Sequence, residues 1–225
     1  MTTQEIIVEL LFCSTTFSLY VIIINIVDNF DNNHGILHTD GDQLLIETNL
    51  NAPNNRIVSC SFDDMTPENW TDLIPETENV LNTGTAGGYI FCTYLKDATS
   101  LVLQYDVEGN HIRNIELPAV GTANGFSGRM EDAELYYNFT NAVYPSTIFK
   151  LNVENGNSEV YKKSGVQFNS EDYVSKQIFY TSKDGTKIPM IITHKKEIEM
   201  DGKNPTIIYG YGGFNISLTP YFSTS

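Results

Sequence analysis

Gly41-Asp42-Gln43-Leu44-Leu45-Ile46, Gly87-Gly88-Tyr89-Ile90-Phe91-Cys92 and Asp132-Ala133-Glu134-Leu135-Tyr136-Tyr137 open three similar units. Leu44, Tyr89 and Leu135 stand 45 and 46 residues apart. A further strand follows in each unit: Arg56-Ile57-Val58, Ser100-Leu101-Val102-Leu103 and Thr147-Ile148-Phe149. Turns rich in Gly and Asn come next, Val107-Glu108-Gly109-Asn110 in one unit and Val153-Glu154-Asn155-Gly156 in another, at positions that tolerate the positive φ of hairpin turns. His111-Ile112-Arg113-Asn114-Ile115-Glu116-Leu117 then alternates apolar and polar with the period of a strand. Four short strands repeated every 40 to 50 residues are the signature of β-propeller blades. A generic antiparallel β domain is the alternative reading of the same strands. Propellers close with about 4–8 blades, and this chain has room for three, so it reads as a piece of something larger.

The composition narrows the partners. The 225 residues carry 28 Asp and Glu against 13 Lys and Arg, a net charge of −15. Such an acidic chain lacks the cations that displace counterions from a nucleic-acid backbone, or that hold an anionic membrane surface. The excess lies entirely before residue 169; from there on, acidic and basic residues balance. That shift, with the linker-like Lys162-Lys163-Ser164-Gly165, marks a domain boundary near 165–170. Cys13, Cys60 and Cys92 follow neither a disulfide nor a metal-ligand spacing, which suits a reducing, cytoplasmic setting, with a periplasmic or secreted one left open. The most apolar run, Ser18 to Val27, has no basic residue before it and polar interruptions around it, so a β-branched buried strand is expected rather than a leader or a membrane anchor. Helical character is expected only in the first dozen residues and in Thr66–Trp70.

The last quarter has a different texture. Tyr173–Tyr180 alternates as a strand, Asp184-Gly185 turns, and Lys187–His194 forms a second strand. Asn204-Pro205-Thr206-Ile207-Ile208-Tyr209 reads as a short apolar strand running into Gly210-Tyr211-Gly212-Gly213-Phe214-Asn215. Open α/β sheets place ligand-contacting backbone at such a junction.

Here a resemblance enters. Ser182-Lys183-Asp184-Gly185-Thr186-Lys187-Ile188-Pro189-Met190, followed by Tyr209-Gly210-Tyr211-Gly212-Gly213-Phe214-Asn215-Ile216-Ser217, resembles the start of the serine-hydrolase domain in the prolyl oligopeptidase family. The second motif is more similar to prolyl oligopeptidases proper than to the branch specific for basic residues. The likeness runs back through Gly125-Phe126-Ser127-Gly128 and Tyr94-Leu95-Lys96-Asp97 to Val27-Asp28-Asn29-Phe30, and leaves the first two dozen residues unplaced. It implies a mainly β chain: an unplaced segment 1–27, a partial β-propeller of about three blades over 28–168, and the first strands of an α/β-hydrolase domain over 169–225. It also implies a serine-type endopeptidase that cleaves short peptides after proline, monomeric in the whole enzyme and without a cofactor. The Tyr211 hydroxyl is implied as an oxyanion-hole donor, and Phe214 as a wall of the pocket that accepts the proline ring. From the residues alone, both aromatics also read as packing behind a glycine loop.

The catalytic triad is not found. An α/β-hydrolase presents its nucleophile on a G-x-S-x-G elbow, with the acid and then the histidine following in the chain. Gly125-Phe126-Ser127-Gly128 lacks that spacing and reads as a propeller loop. His34, His38, His111 and His194 have no elbow upstream; His34 and His38, four apart, read as a solvated loop rather than a metal-binding helix face. The chain alone is therefore expected to be inactive. Two other readings stay open: a non-catalytic acidic β interaction module, and a propeller fragment tethered to a membrane through residues 10–27. The sequons at Asn69, Asn138 and Asn215 occur at chance frequency and are no sign of secretion.

Overall fold

The computed structural model describes the backbone of residues 6–13 and 19–23, and residues 24–214 and 216–224 in full. Two strands, β1 (Ile6–Cys13) and β2 (Leu19–Val27), pair as an antiparallel hairpin. The helical expectation for the first dozen residues is thus corrected over 6–13; Met1 to Glu5 lie outside the described residues. Ile and Leu in that stretch satisfy either pattern, and the β-branched partner strand tips the balance.

Three four-stranded meanders follow. The first sheet is β3 (His34–Asp40), β4 (Gln43–Thr48), β5 (Arg56–Ser61) and β6 (Thr71–Ile74). The second is β7 (Val80–Ala86), β8 (Tyr89–Lys96), β9 (Thr99–Asp106) and β10 (His111–Asn114). The third is β11 (Thr122–Asn124), β12 (Glu134–Asn141), β13 (Tyr144–Asn152) and β14 (Ser158–Lys162). Every neighbouring pair is antiparallel. The expected period and strand number hold, but the unit begins one strand earlier than the repeat suggests. The three openings are β4, β8 and β12, each the second strand of its sheet. The first strands differ too much in sequence to align: β11 has three residues and β7 contains Gly84.

Period-2 alternation buries both faces of the first two sheets. Leu44, Ile46, Val58 and Cys60 point one way and meet Ile26, Val27 and Met65. Leu45, Ile57 and Ile74 point the other way and interlock with Leu81, Ile90, Cys92 and Tyr94 of the second sheet. Phe91 and Val102 then face Phe126, Leu135, Tyr137, Phe139, Phe149 and Leu151 of the third unit. Polar links cross the same seams. Glu47 accepts a short hydrogen bond from Thr83, and Asn55 Nδ2 donates to the Leu81 carbonyl at 2.9 Å. Gln104 Nε2 reaches the Val153 carbonyl at 2.6 Å, and Arg113 Nη2 the Glu154 carbonyl at 2.8 Å. Gly84 is required at the second seam, because a β-carbon there would overlap the Phe126 carbonyl oxygen. On the far face of the third sheet Tyr136, Ile148 and Tyr161 are exposed.

After β14 the chain runs irregularly to Asn169. It then forms a second hairpin, β15 (Tyr173–Thr181) with β16 (Lys187–Lys195), through a turn in which Gly185 has φ +89°. Both strands fall where expected. The strand expected over 204–209 does not form. Ile207 and Ile208 are 96% and 87% exposed, and no described strand lies beside them. An isolated extended segment gains no ladder hydrogen bonds, so apolar composition alone does not make it a strand. The expectation at Thr66–Trp70 is met by a 3-10 turn, Pro67–Asn69.

Candidate functional site

The loop 210–214 carries the two residues singled out by motif. Gly210 and Gly212 have open space where a side chain would start. Tyr211 is about half-exposed and leans over the loop: a β-carbon on Gly213 would sit 3.6 Å from its hydroxyl oxygen. Phe214 is 91% exposed and holds φ +55°, a left-handed conformation uncommon for a bulky residue. The Ile216 N–H closes the turn onto the Gly213 carbonyl at 3.2 Å. Gly212, Gly213, Phe214, Ile216 and Ser217 line a shallow depression. Tyr211 and Phe214 therefore stand on one turn, both open to solvent.

Among the described residues, the segment that carries this loop touches the propeller at the β8–β9 turn and again at β11 and β12. Gln177 Nε2 of β15 donates to the Asp97 carbonyl at 2.6 Å, on the tight β8–β9 turn where Asp97 and Ala98 both have positive φ. Farther on, Thr122 Oγ1 donates to the Pro220 carbonyl at 2.7 Å, and the Phe222 N–H donates to Thr140 Oγ1 at 3.1 Å. Phe222 also packs on Phe168 (4.9 Å between ring centres), which in turn stacks on Tyr173 at 5.0 Å. These contacts escape sequence reading, because Thr122 and Phe168 belong to no motif and the sequon that contains Thr140 does not point to them.

The other candidates are dispersed. Ser127 is exposed in the loop between β11 and β12, where its backbone N–H bonds to the Gly125 carbonyl at 2.8 Å, as expected of a propeller loop. His34 corrects the solvated-loop expectation: it is buried at the start of β3, its Nδ1 2.8 Å from Thr48 Oγ1 and its ring edge-on to Trp70 at 5.6 Å. Burial lowers its pKa below 6.5. His38 shares that strand, so the pair is not helical. His111 Nε2 lies 3.0 Å from Asn114 Oδ1 on β10, and His194 Nδ1 2.7 Å from the Lys195 carbonyl on β16. Cys60 and Cys92 are free, buried thiols; burial pushes the Cys92 pKa up to about 12, against a helping hydrogen bond from Tyr94. The side chain of Cys13 lies outside the described residues. Among the described residues no cluster of His, Cys, Asp and Glu could hold a metal, and no helix is long and apolar enough to cross a membrane.

The model of the prolyl oligopeptidase N-terminal β-propeller domain matches residues 8–164. The chain belongs to the prolyl oligopeptidase family. The match begins inside the stretch that the motif resemblance leaves unplaced. The prolyl endopeptidase of Elizabethkingia miricola is 54% identical over 200 residues, which cover 89% of this chain and 28% of that protein. A solved structure from a study of two prolyl endopeptidases and their inter-domain dynamics superposes with a TM-score of 0.77 at 34% identity, covering 90% of this chain and 30% of that one. The apo prolyl oligopeptidase B of Galerina marginata superposes with a TM-score of 0.81 at 25% identity over 99% of this chain and 32% of its own. The chain thus spans somewhat under a third of the length of these family members. Its fold is a partial propeller of three blades with a further hairpin after it.

Proposed function

We propose that this chain supplies three propeller blades (28–168) and the opening of the peptidase domain (169–225) to a serine endopeptidase that cleaves short peptides on the carboxyl side of proline. The whole enzyme would be a monomer of the cytoplasm. The observation that carries this reading is the 54% identity to the Elizabethkingia miricola prolyl endopeptidase across 89% of the chain.

Acyl transfer from a peptide bond develops negative charge on the carbonyl oxygen, and a fixed donor aimed at that charge stabilises the transition state by about 2.7–4 kcal/mol. Tyr211 has a hydroxyl to donate, on a glycine-flanked turn that lets a substrate backbone approach. A backbone N–H beside the nucleophile would be its partner. Phe214 offers a flat face to a pyrrolidine ring, and its left-handed φ is the kind of local strain that collects at binding sites. The nucleophile, acid and base would come from outside these residues: Ser127 lacks an elbow, and the described contacts of His34, His111 and His194 involve Thr48, Asn114 and the Lys195 carbonyl. The chain alone is then expected not to hydrolyse a proline-containing chromogenic peptide.

The test is a chimera in which residues 8–224 replace the matching stretch of the Elizabethkingia miricola enzyme. It should cleave after proline. Tyr211→Phe in that chimera should lower kcat about 100- to 1000-fold, and Phe214→Ala should lose preference for proline over alanine at the cleaved bond. A fully active chimera indifferent to both substitutions would overturn the assignment of the two residues. Turnover by the chain alone that vanishes on Ser127→Ala would overturn the inactivity.

A further inference from the structure

We propose that the threonine pair Thr122 and Thr140 is the propeller's anchor for the segment carrying Tyr211 and Phe214, and that it sets where that loop stands. The two residues are direct partners in the β11–β12 register. Their side chains share the face opposite Ala123 and Phe139, which are buried in the core between the second and third sheets. Thr122 Oγ1 donates to the Pro220 carbonyl, and Thr140 Oγ1 accepts from the Phe222 N–H. A donor and an acceptor on adjacent strands thus hold the tail by two backbone groups two residues apart, the Pro220 carbonyl and the Phe222 N–H.

The polarity of each hydroxyl is fixed. Thr140 spends its single proton on the Tyr144 carbonyl at 3.0 Å, which turns its lone pairs toward the Phe222 amide. Pro220 is buried at this contact, and Phe222 closes against Phe168. Residues 196–214 run without strand or helix from the end of β16 to the loop. The loop thus hangs between the β16 hairpin on one side and the threonine pair on the other. Thr122 and Thr140 are positioning residues; the role of the loop they position rests on the function proposed above.

The experiment uses the full chain with Thr140→Val, Thr122→Val and Thr140→Ser. Hydrogen exchange followed by mass spectrometry reads peptides over 217–224, and a 3-fluorotyrosine at position 211 reads the loop by fluorine NMR. Losing one neutral hydrogen bond of ordinary strength should speed exchange over 217–224 about fivefold in either Val variant. Propeller peptides should keep wild-type exchange. The Tyr211 fluorine resonance should shift in both Val variants and return in Thr140→Ser, which keeps the hydroxyl. Thr122→Val leaves the Tyr144 carbonyl satisfied, so its effect is free of that side consequence. Unchanged exchange over 217–224 in both Val variants would overturn the anchor. Faster exchange with an unmoved fluorine signal, or no rescue by Ser, would overturn the positioning. Neither readout involves peptide hydrolysis, so failure here is separate from failure of the chimera.

Discussion

Replacing Phe126 by Ala should detach the third blade from the other two. Phe126 sits in the loop between β11 and β12 and is 4% exposed. Its ring lies 6.2 Å from Phe91 of the second sheet and 4.6 Å from Tyr137 of the third, stacked on both, and Tyr137 continues the stack to Phe149 at 5.3 Å. Truncating a buried Phe costs about 3–5 kcal/mol, the lost transfer energy and the cavity together. The upper half of that range applies here, because two stacked pairs are lost and β-strands on either side cannot collapse into the gap. In a repeat architecture stability is a sum of unit and interface terms, so the loss falls on one seam. The assay uses two probes in urea. Trp70 is the only tryptophan of the chain and packs in the first blade, where its Nε1 donates to the Met65 carbonyl at 3.0 Å. Its fluorescence reports that blade, while far-UV circular dichroism reports all three. At a slope of about 2 kcal/mol per M, a 4 kcal/mol loss moves the third-blade midpoint by about 2 M. The dichroism transition should broaden to lower urea while the Trp70 midpoint moves far less. If both probes shift together by the same amount, the arc is one cooperative unit and the seam argument is wrong.

Three further outcomes are expected. Burial lowers the His34 pKa, so as pH falls below its ordinary 6.5 the unfolded chain binds the proton more readily than the fold; urea midpoints from Trp70 should fall as pH drops from about 7 to 5, and His34→Gln should flatten that part of the profile relative to wild type. With the Cys92 thiol pushed up to about 12 and Cys60 raised by burial, neither should react with a thiol reagent at mildly alkaline pH until the chain is denatured, measured in a Cys13→Ser background. Rapid labelling in the native state would mean the seams open readily. Ile207 and Ile208 are almost fully exposed, and large apolar side chains left in water drive association and dye binding; Ile207→Ser with Ile208→Ser should lower both in light scattering and dye fluorescence, and an unchanged wild-type-like signal would place the sticky surface elsewhere.

The amino-acid sequence by itself determined what depends on near neighbours. Alternating apolar residues made β4, β8 and β12 legible, and glycines at 109, 156 and 185 marked turns that need positive φ. Tyr211 and Phe214 were singled out by a contiguous motif through its family resemblance, and their roles are those proposed above. What the tertiary structure decided depends on residues far apart in the chain. Which strand begins each sheet was hidden, because β3, β7 and β11 are defined by their partners and not by a shared pattern. Ile207-Ile208 has the composition of a strand and forms none, since a strand exists only as half of a ladder. His34 is buried although its local sequence, flanked by Asn33 and Gly35, is polar and flexible, because Thr48 and Trp70 close over it from 14 residues away and beyond. The anchoring of the tail needs Thr122 and Thr140 side by side, 18 residues apart in sequence and opposite each other in the sheet. Hydrophobic period and turn chemistry act over a few residues and are written in order, whereas burial and register are set by whichever surface the fold brings near.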